Sequence, residues 1–271
     1  MPTTYAHYKF GQHVRDMLPP ECQKTVDTHP DLYYLGVHGP DLMFYYYLTI
    51  PIGVLVHHRS GEDFFRYASR RIARDNYDEE ELAYIYGYLT HFALDRRCHP
   101  YINGIDADGK FRHFQIESEF DRYLETLDGF DPLRHKVTAH IHPTLKRAAV
   151  ISRFYPGIII RNLFVSLCCS KFMLDLFVMP QKWKRAVFRL VLNEMTLFNK
   201  DAYKKNIGLV MSRKPHPQSL ATNPMLVKME EAARADAVKF ISDFIPVSKG
   251  EKEPDKKFRE NFNGVIPPNV K

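Results

Sequence analysis

The stretch HFALDRRCH, residues 91–99, sets His91, Asp95 and His99 four residues apart. On a helix, steps of four drift by about 40° each, so the three share one face. His91 and Asp95 can then coordinate one ion, and His99 can turn toward a second. An aspartate between two imidazoles can bridge ions, one through each oxygen. Imidazole is the commonest protein metal ligand, and its neutral form suits zinc. The plain alternative for such a stripe is a solvated polar face.

Further ligand types cluster around it. Of 13 histidines, nine fall within the first 113 residues: His7, His13, His29, His38, His57, His58, His91, His99 and His113. His113 and Glu117 repeat the four-residue spacing in RHFQIESEF. Two antiparallel helices would face these ligands into one cleft, as helix bundles do when they build metal sites. In HGPD, residues 38–41, Gly39 and Pro40 make a tight turn before Asp41, which either caps a helix or holds a metal. Adjacent residues point different ways, so at most one of His57 and His58 is a ligand.

The elements that must position these residues read as helices, and strand signals are poor. Helices are expected over about 5–17, 61–74, 111–127, 155–178, 183–198 and 225–244. Residues 35–41 read as a loop. Asp78, three before Glu81, forms a capping-box start for a helix ending near Pro100. Asn223 before Pro224 reads as another cap. The expected fold is all-α: a metal-binding core over 1–130, a helical extension over 131–246, and a charged, mobile tail over 247–271.

Composition limits the rest. The chain has 271 residues, 45% hydrophobic, which excludes wholesale disorder. Net charge is +6, which suits anionic partners without choosing among them. Four cysteines without paired spacing read as reduced thiols, and no secretory signal is evident, so a cytoplasmic location is expected. The longest uncharged apolar stretch, 15 residues between Asp41 and His57, is short of the roughly 20 needed to span a bilayer. No Ser-nucleophile motif, P-loop or dinucleotide fingerprint competes for the chemistry.

The order H-x3-D, H, H-x3-E, preceded by an N-terminal helix histidine and a G-P-D turn, resembles the zinc-dependent phospholipase C family. The resemblance covers roughly residues 1–130. It implies a mostly helical domain with up to three zinc ions. Asp41, His91, Asp95 and one of His57 and His58, with His57 preferred, would hold the first ion. His99, His113 and Glu117 would hold the second. His7 and bridging Asp95 would hold a third. The family's secreted members ligate the third ion with an N-terminal tryptophan, whereas the single tryptophan here is Trp183. Two zinc ions are therefore expected, with the third lacking its usual terminal ligand.

The function expected is phosphoester hydrolysis through zinc-activated water, with Asp41 both ligand and orienter or base for that water. The substrate would be a small phosphoester or phospholipid head group, inside the cell and without membrane lysis. A related zinc nuclease-like phosphodiesterase is the enzymatic alternative. Nucleic acid is disfavoured because no basic, aromatic groove stands out. The non-enzymatic alternative is a helical metal-binding or membrane-surface protein. For residues 157–179 with QKWKRAVFR, a buried helix pair is preferred to a membrane-facing hairpin. The aromatics Phe44, Tyr45, Tyr46, Tyr47, Phe64 and Phe65 read as core or as an apolar entrance. Arg70, Arg71, Arg74, Arg96 and Arg97 read as a basic patch or as solvated faces.

Overall fold

The computed structural model describes residues 4–197 and 199–268. It is all-α, and no strand occurs among the described residues. The helices are α1 (Thr4–Asp16), α2 (Pro20–Thr28), α3 (Pro30–Val37), α4 (Ile50–His58), α5 (Gly61–Arg74) and α6 (Glu79–Asp106). They continue with α7 (His113–Leu127), α8 (Leu145–Ser152), α9 (Ile160–Phe177), α10 (Lys182–Met195), α11 (Lys200–Asn206) and α12 (Ser219–Ser248). Short 3-10 helices cover Gly39–Tyr45, Ile207–Leu209 and Lys256–Arg259. Phe198, the expected end of the helix here called α10, lies outside the described residues.

The chain forms two compact units, each assembled from separated stretches. One holds the described residues of Met1–Ala6, Tyr101–Ala139 and Phe172–Lys228. The other holds His7–Pro100, His140–Lys171 and the described residues of Met229–Lys271. We call them the smaller and the larger unit.

In the larger unit, α6 is the central element. Tyr84, Ile85, Tyr86, Tyr88, Leu89, Phe92 and Ala93 are all buried, so the helix is covered on every side. Its start is as expected: Asp78 Oδ1 accepts from the Glu81 amide at 3.0 Å. Glu81 does not reach back; it is buried and takes the Arg153 guanidinium at 2.8 Å instead. The helix also runs through Pro100. Proline cannot donate to the carbonyl four residues earlier, here Arg96, and normally ends or kinks a helix. Gly264 (φ +66°) lies against that opening, where a Cβ would fall 2.5 Å from Arg96 O and 2.6 Å from Pro100 Cγ.

The crossing of α3 over α6 is as close as two backbones allow. A Cβ on Gly36 would lie 2.2 Å from Tyr84 O, and one on Gly87 would lie 2.0 Å from Tyr33 O. Residues 35–41, expected as loop, are therefore the end of α3 and the start of a 3-10 helix held at this crossing.

The tail expected to be mobile is seated along residues 255–262. Phe258 and Phe262 are buried, and Phe258 O accepts from Ser60 Oγ at 3.0 Å. Arg96 is not part of a basic patch: it is buried, bonding Glu260 at 2.6 Å and Asp236 at 2.7 Å. Two aromatic anchors and an ion pair thus outweigh the local polarity from which mobility was read.

In the smaller unit, Asp121 accepts from the Tyr5 and Ala6 amides at 3.2 and 2.8 Å, satisfying orphan donors at the start of α1. Asn223 is no cap: α12 already begins at Ser219, and Asn223 Nδ2 donates to Glu119 O at 3.3 Å.

Candidate metal centre

Within the larger unit, four of the expected ligands converge. Asp41 comes from the 3-10 helix, His57 from the last turn of α4, and His91 and Asp95 from successive turns of α6. Their ligand atoms lie within 4.8 Å of one another. Asp41 Oδ1 stands 2.9 Å from His57 Nε2 and 3.8 Å from His91 Nε2, and His91 Nε2 stands 3.2 Å from Asp95 Oδ2.

Gly39 lets this happen. It adopts φ +50°, and a Cβ there would sit 2.4 Å from the His91 ring. Glycine alone takes this backbone region without cost and lets the turn rest on an imidazole. Of the two adjacent histidines, His57 faces Asp41, while His58 is exposed.

The tautomers are set by backbone carbonyls, which can only accept. His57 Nδ1 donates to Gly53 O at 2.8 Å, His91 Nδ1 to Val37 O at 3.2 Å, and His99 Nδ1 to Phe262 O at 2.9 Å. Each neutral ring then presents Nε2 as a lone pair, the arrangement that orients metal-binding histidines. Lone pairs of His57 and His91 therefore face carboxylate oxygens at contact distance. Such a cluster is repulsive unless a cation or added protons sit in it. Asp41 Oδ1, His91 Nε2 and Asp95 Oδ2 are buried and lack a hydrogen-bond donor. The donor set of two imidazole nitrogens and two carboxylate oxygens fits zinc.

The electrostatics agree. Burial works against charge on Asp95, yet facing His91 and His99 hold it well below the usual carboxylate range. Asp41, likewise buried, is lowered by His91 and His57. Burial pulls the His91 imidazole down, but Asp95 and Asp41 outweigh it and raise it. A bound divalent cation would take the place of that proton, since ligands bind metal deprotonated.

His7, on α1, meets the other oxygen of Asp95. His7 Nε2 stands 3.2 Å from Asp95 Oδ1, and its ring stacks on His91 at 4.5 Å between centroids. Burial and His91 lower its pKa, keeping it neutral. Asp95 thus offers one oxygen to each side. His99, the third member of the α6 stripe, has Nδ1 3.8 Å from Asp95 Oδ2. His113 and Glu117 belong to the smaller unit, where they face each other on α7 at 3.1 Å.

Sequence reasoning missed one pair. His38 and His140 bring their Nε2 atoms to 2.6 Å, both rings buried, with Tyr8 stacked on His140 at 4.0 Å. Burial, His140, His7 and His91 press His38 well below the ordinary imidazole value. Burial, then Lys171 and His142, bring His140 to about 3. Both are neutral, one donating to the other. His38 was visible in HGPD, but nothing in the sequence ties it to a partner 102 residues away.

The aromatic set divides. Phe65 is buried in the core, and half-buried Phe64 stacks on Tyr88 at 4.0 Å. Phe44 lies 5.1 Å from the His57 ring, and Tyr47 is 70% exposed.

The family described as zinc dependent phospholipase C matches residues 6–164, more than half of the chain. The chain belongs to that family. The matched stretch contains His7, Asp41, His57, His91, Asp95, His99, His113 and Glu117, and it ends within α9. No curated protein and no solved structure matches the chain. For a member of the zinc-dependent phospholipase C family, the converging groups of histidine and carboxylate are candidate zinc ligands.

Proposed function

We propose that the protein is a zinc-dependent phosphoester hydrolase of phospholipase C type. The observation that carries this reading is the buried Asp41, His57, His91, Asp95 cluster, with two imidazole lone pairs aimed at carboxylates. These four residues would hold the first ion. The second is assigned to His113, Glu117 and His99 on the family's ligand order. A third would rest on His7 and Asp95.

Zinc, when bound, supplies Lewis acidity toward a phosphoryl oxygen and acidifies a water. The chain's own part is positioning and proton handling. Gly53 and Val37 hold His57 and His91 in the ligand tautomer. Asp41, whose carboxyl His91 and His57 hold low, would accept a proton at a carboxylate oxygen when water attacks phosphorus. His7, kept neutral by burial, contributes no competing positive charge.

The substrate we propose is a phospholipid or its head-group phosphoester. The segment that links Asp41 to His57 exposes Tyr47, Leu48, Ile50, Val54 and Leu55, apolar side chains that a lipid could meet. No helix among the described residues is long and apolar enough to cross a membrane.

The test is metal analysis of the purified protein with a panel of phosphodiesters and phosphomonoesters. Two or more zinc equivalents, and phosphodiester turnover lost on chelation and restored by zinc, are expected. Less than one equivalent of any metal after zinc reconstitution would refute the reading.

A further inference from the structure

We propose that α10 is a docking face for an anionic lipid surface. This goes beyond the hydrolase reading and does not rest on it. The helix lies after the residues matched to the family and wholly within the smaller unit.

The sequence reading preferred a buried helix pair here, and for α10 the structure shows otherwise. α10 buries only Arg185 and Leu192. Trp183, Val187, Leu190, Val191 and Met195 are 65, 52, 63, 48 and 77% exposed. At about 100° per residue these five fall along one side, opposite the buried pair. A solvent-facing apolar stripe of five large side chains is not what an ordinary surface helix presents. At the end of α9, Phe172 and Leu176 are exposed as well, and the two helices meet through Phe177 and Phe188, 6.1 Å apart.

The helix is fixed in this orientation. Arg185 turns inward and donates through Nε to Met179 O at 2.5 Å and through Nη1 to Met211 O at 2.6 Å. Its charge is thereby used on backbone carbonyls, and the apolar stripe is held outward.

Charge identifies the occupant. Lys182 and Arg189 flank the stripe on one side, while Lys184 and Glu194 project from within its arc, and all four are exposed. Residues 181–214 carry nine lysines and arginines against two acids, Glu194 and Asp201, a surplus of seven. The whole chain has a surplus of six, so the rest of the protein is one charge negative and the basic excess is concentrated here. An apolar stripe bordered along one edge by lysine and arginine, in a segment of strong basic excess and with a tryptophan at one end, is the pattern of a helix lying in a membrane interface. Two copies docked face to face would bring the same basic excess together, which disfavours self-association. Single-stranded nucleic acid needs successive aromatic platforms, and Trp183 is the stripe's one aromatic.

Trp183 is the sole tryptophan of the chain, so its fluorescence reports on this face alone. The zinc-loaded full-length protein would be titrated with phosphatidylglycerol vesicles, with phosphatidylcholine vesicles and with a single-stranded oligonucleotide. A blue-shifted, enhanced emission with phosphatidylglycerol, quenched by brominated acyl chains and weakened by salt, is expected. Leu190→Asp should lower partitioning at least ten-fold with an unchanged melting curve and unchanged turnover of a dispersed short-chain substrate. Lys182→Glu with Arg189→Glu should lower it in phosphatidylglycerol. Binding is read without turnover, so an inactive protein can still pass. No emission change with phosphatidylglycerol overturns the proposal. So does a response to the oligonucleotide alone, or one explained by concentration-dependent dimerisation.

Discussion

Asp95 faces three histidines of the candidate centre, His7, His91 and His99, and the consequences of changing it are correspondingly large. One of its oxygens faces His91 and the other faces His7, each at 3.2 Å. Asp95→Asn would put an amide NH2 where one of two anionic donors stands. We expect it to lower kcat/KM by at least about 100-fold and to cost metal, because losing even an outer partner of a ligand costs about 10–100-fold. His7→Ala should be milder, since His7 meets a single oxygen of Asp95 and lies outside the four-residue group. Elemental analysis and turnover of both variants decide the order; a larger loss from His7→Ala would reverse the assignment. Gly39→Ala is the backbone counterpart. Its φ of +50° and the His91 ring 2.4 Å from the new Cβ should cost about 1–3 kcal/mol in strain, besides the clash. Denaturant melts should show that loss together with lowered zinc content, and a neutral result would mean the turn does not set the site.

At the scale of elements, the larger unit depends on helices that approach through glycine and on a tail that closes over them. Phe262 is the clearest case. It is 1% exposed and packs on His57 and His91 with centroids 4.9 and 5.5 Å away. Its backbone carbonyl takes the His99 Nδ1 proton. Phe262→Ala should therefore destabilise by about 3–5 kcal/mol, the usual cost of removing a buried phenyl. The midpoint of urea unfolding measures this. A loss under about 1 kcal/mol would show that the tail is dispensable to the core.

At the scale of the whole molecule, one buried acid gives a pH dependence separate from the metal. Glu125 is 1% exposed, and burial, against the pull of Arg122, raises its carboxyl to about 8. In the unfolded chain it would ionise near 4.3. The folded state thus holds a proton that the unfolded state releases between those values. Its stabilising contribution is complete below about 4.3 and is lost as pH rises to about 8. Between pH 5 and 8 the native protein should lose several degrees in Tm relative to Glu125→Gln, on the scale of about 2–8 °C per kcal/mol. Parallel slopes for the two proteins in thermal melts would rule this out.

Helical period alone determined the order of ligand types. Residues four apart on one helix share a face wherever that helix is placed, so His91, Asp95 and His99, and separately His113 and Glu117, were legible. The all-α class and the family resemblance were legible for the same local reason. Tertiary structure decided what lies opposite. The contact of His38 with His140 joins residues 102 apart, and no local pattern encodes such a pairing. His57 was already preferred to His58 in the sequence, but its contact with Asp41 depends on glycines at a helix crossing. The continuation of α6 past Pro100 needed Gly264 against its open carbonyl. Periodicity also marks an apolar face without saying what covers it. For that reason α6, whose pattern is broken by tyrosines and histidines, proved to be the core, while the apolar stripe of α10 faces outward.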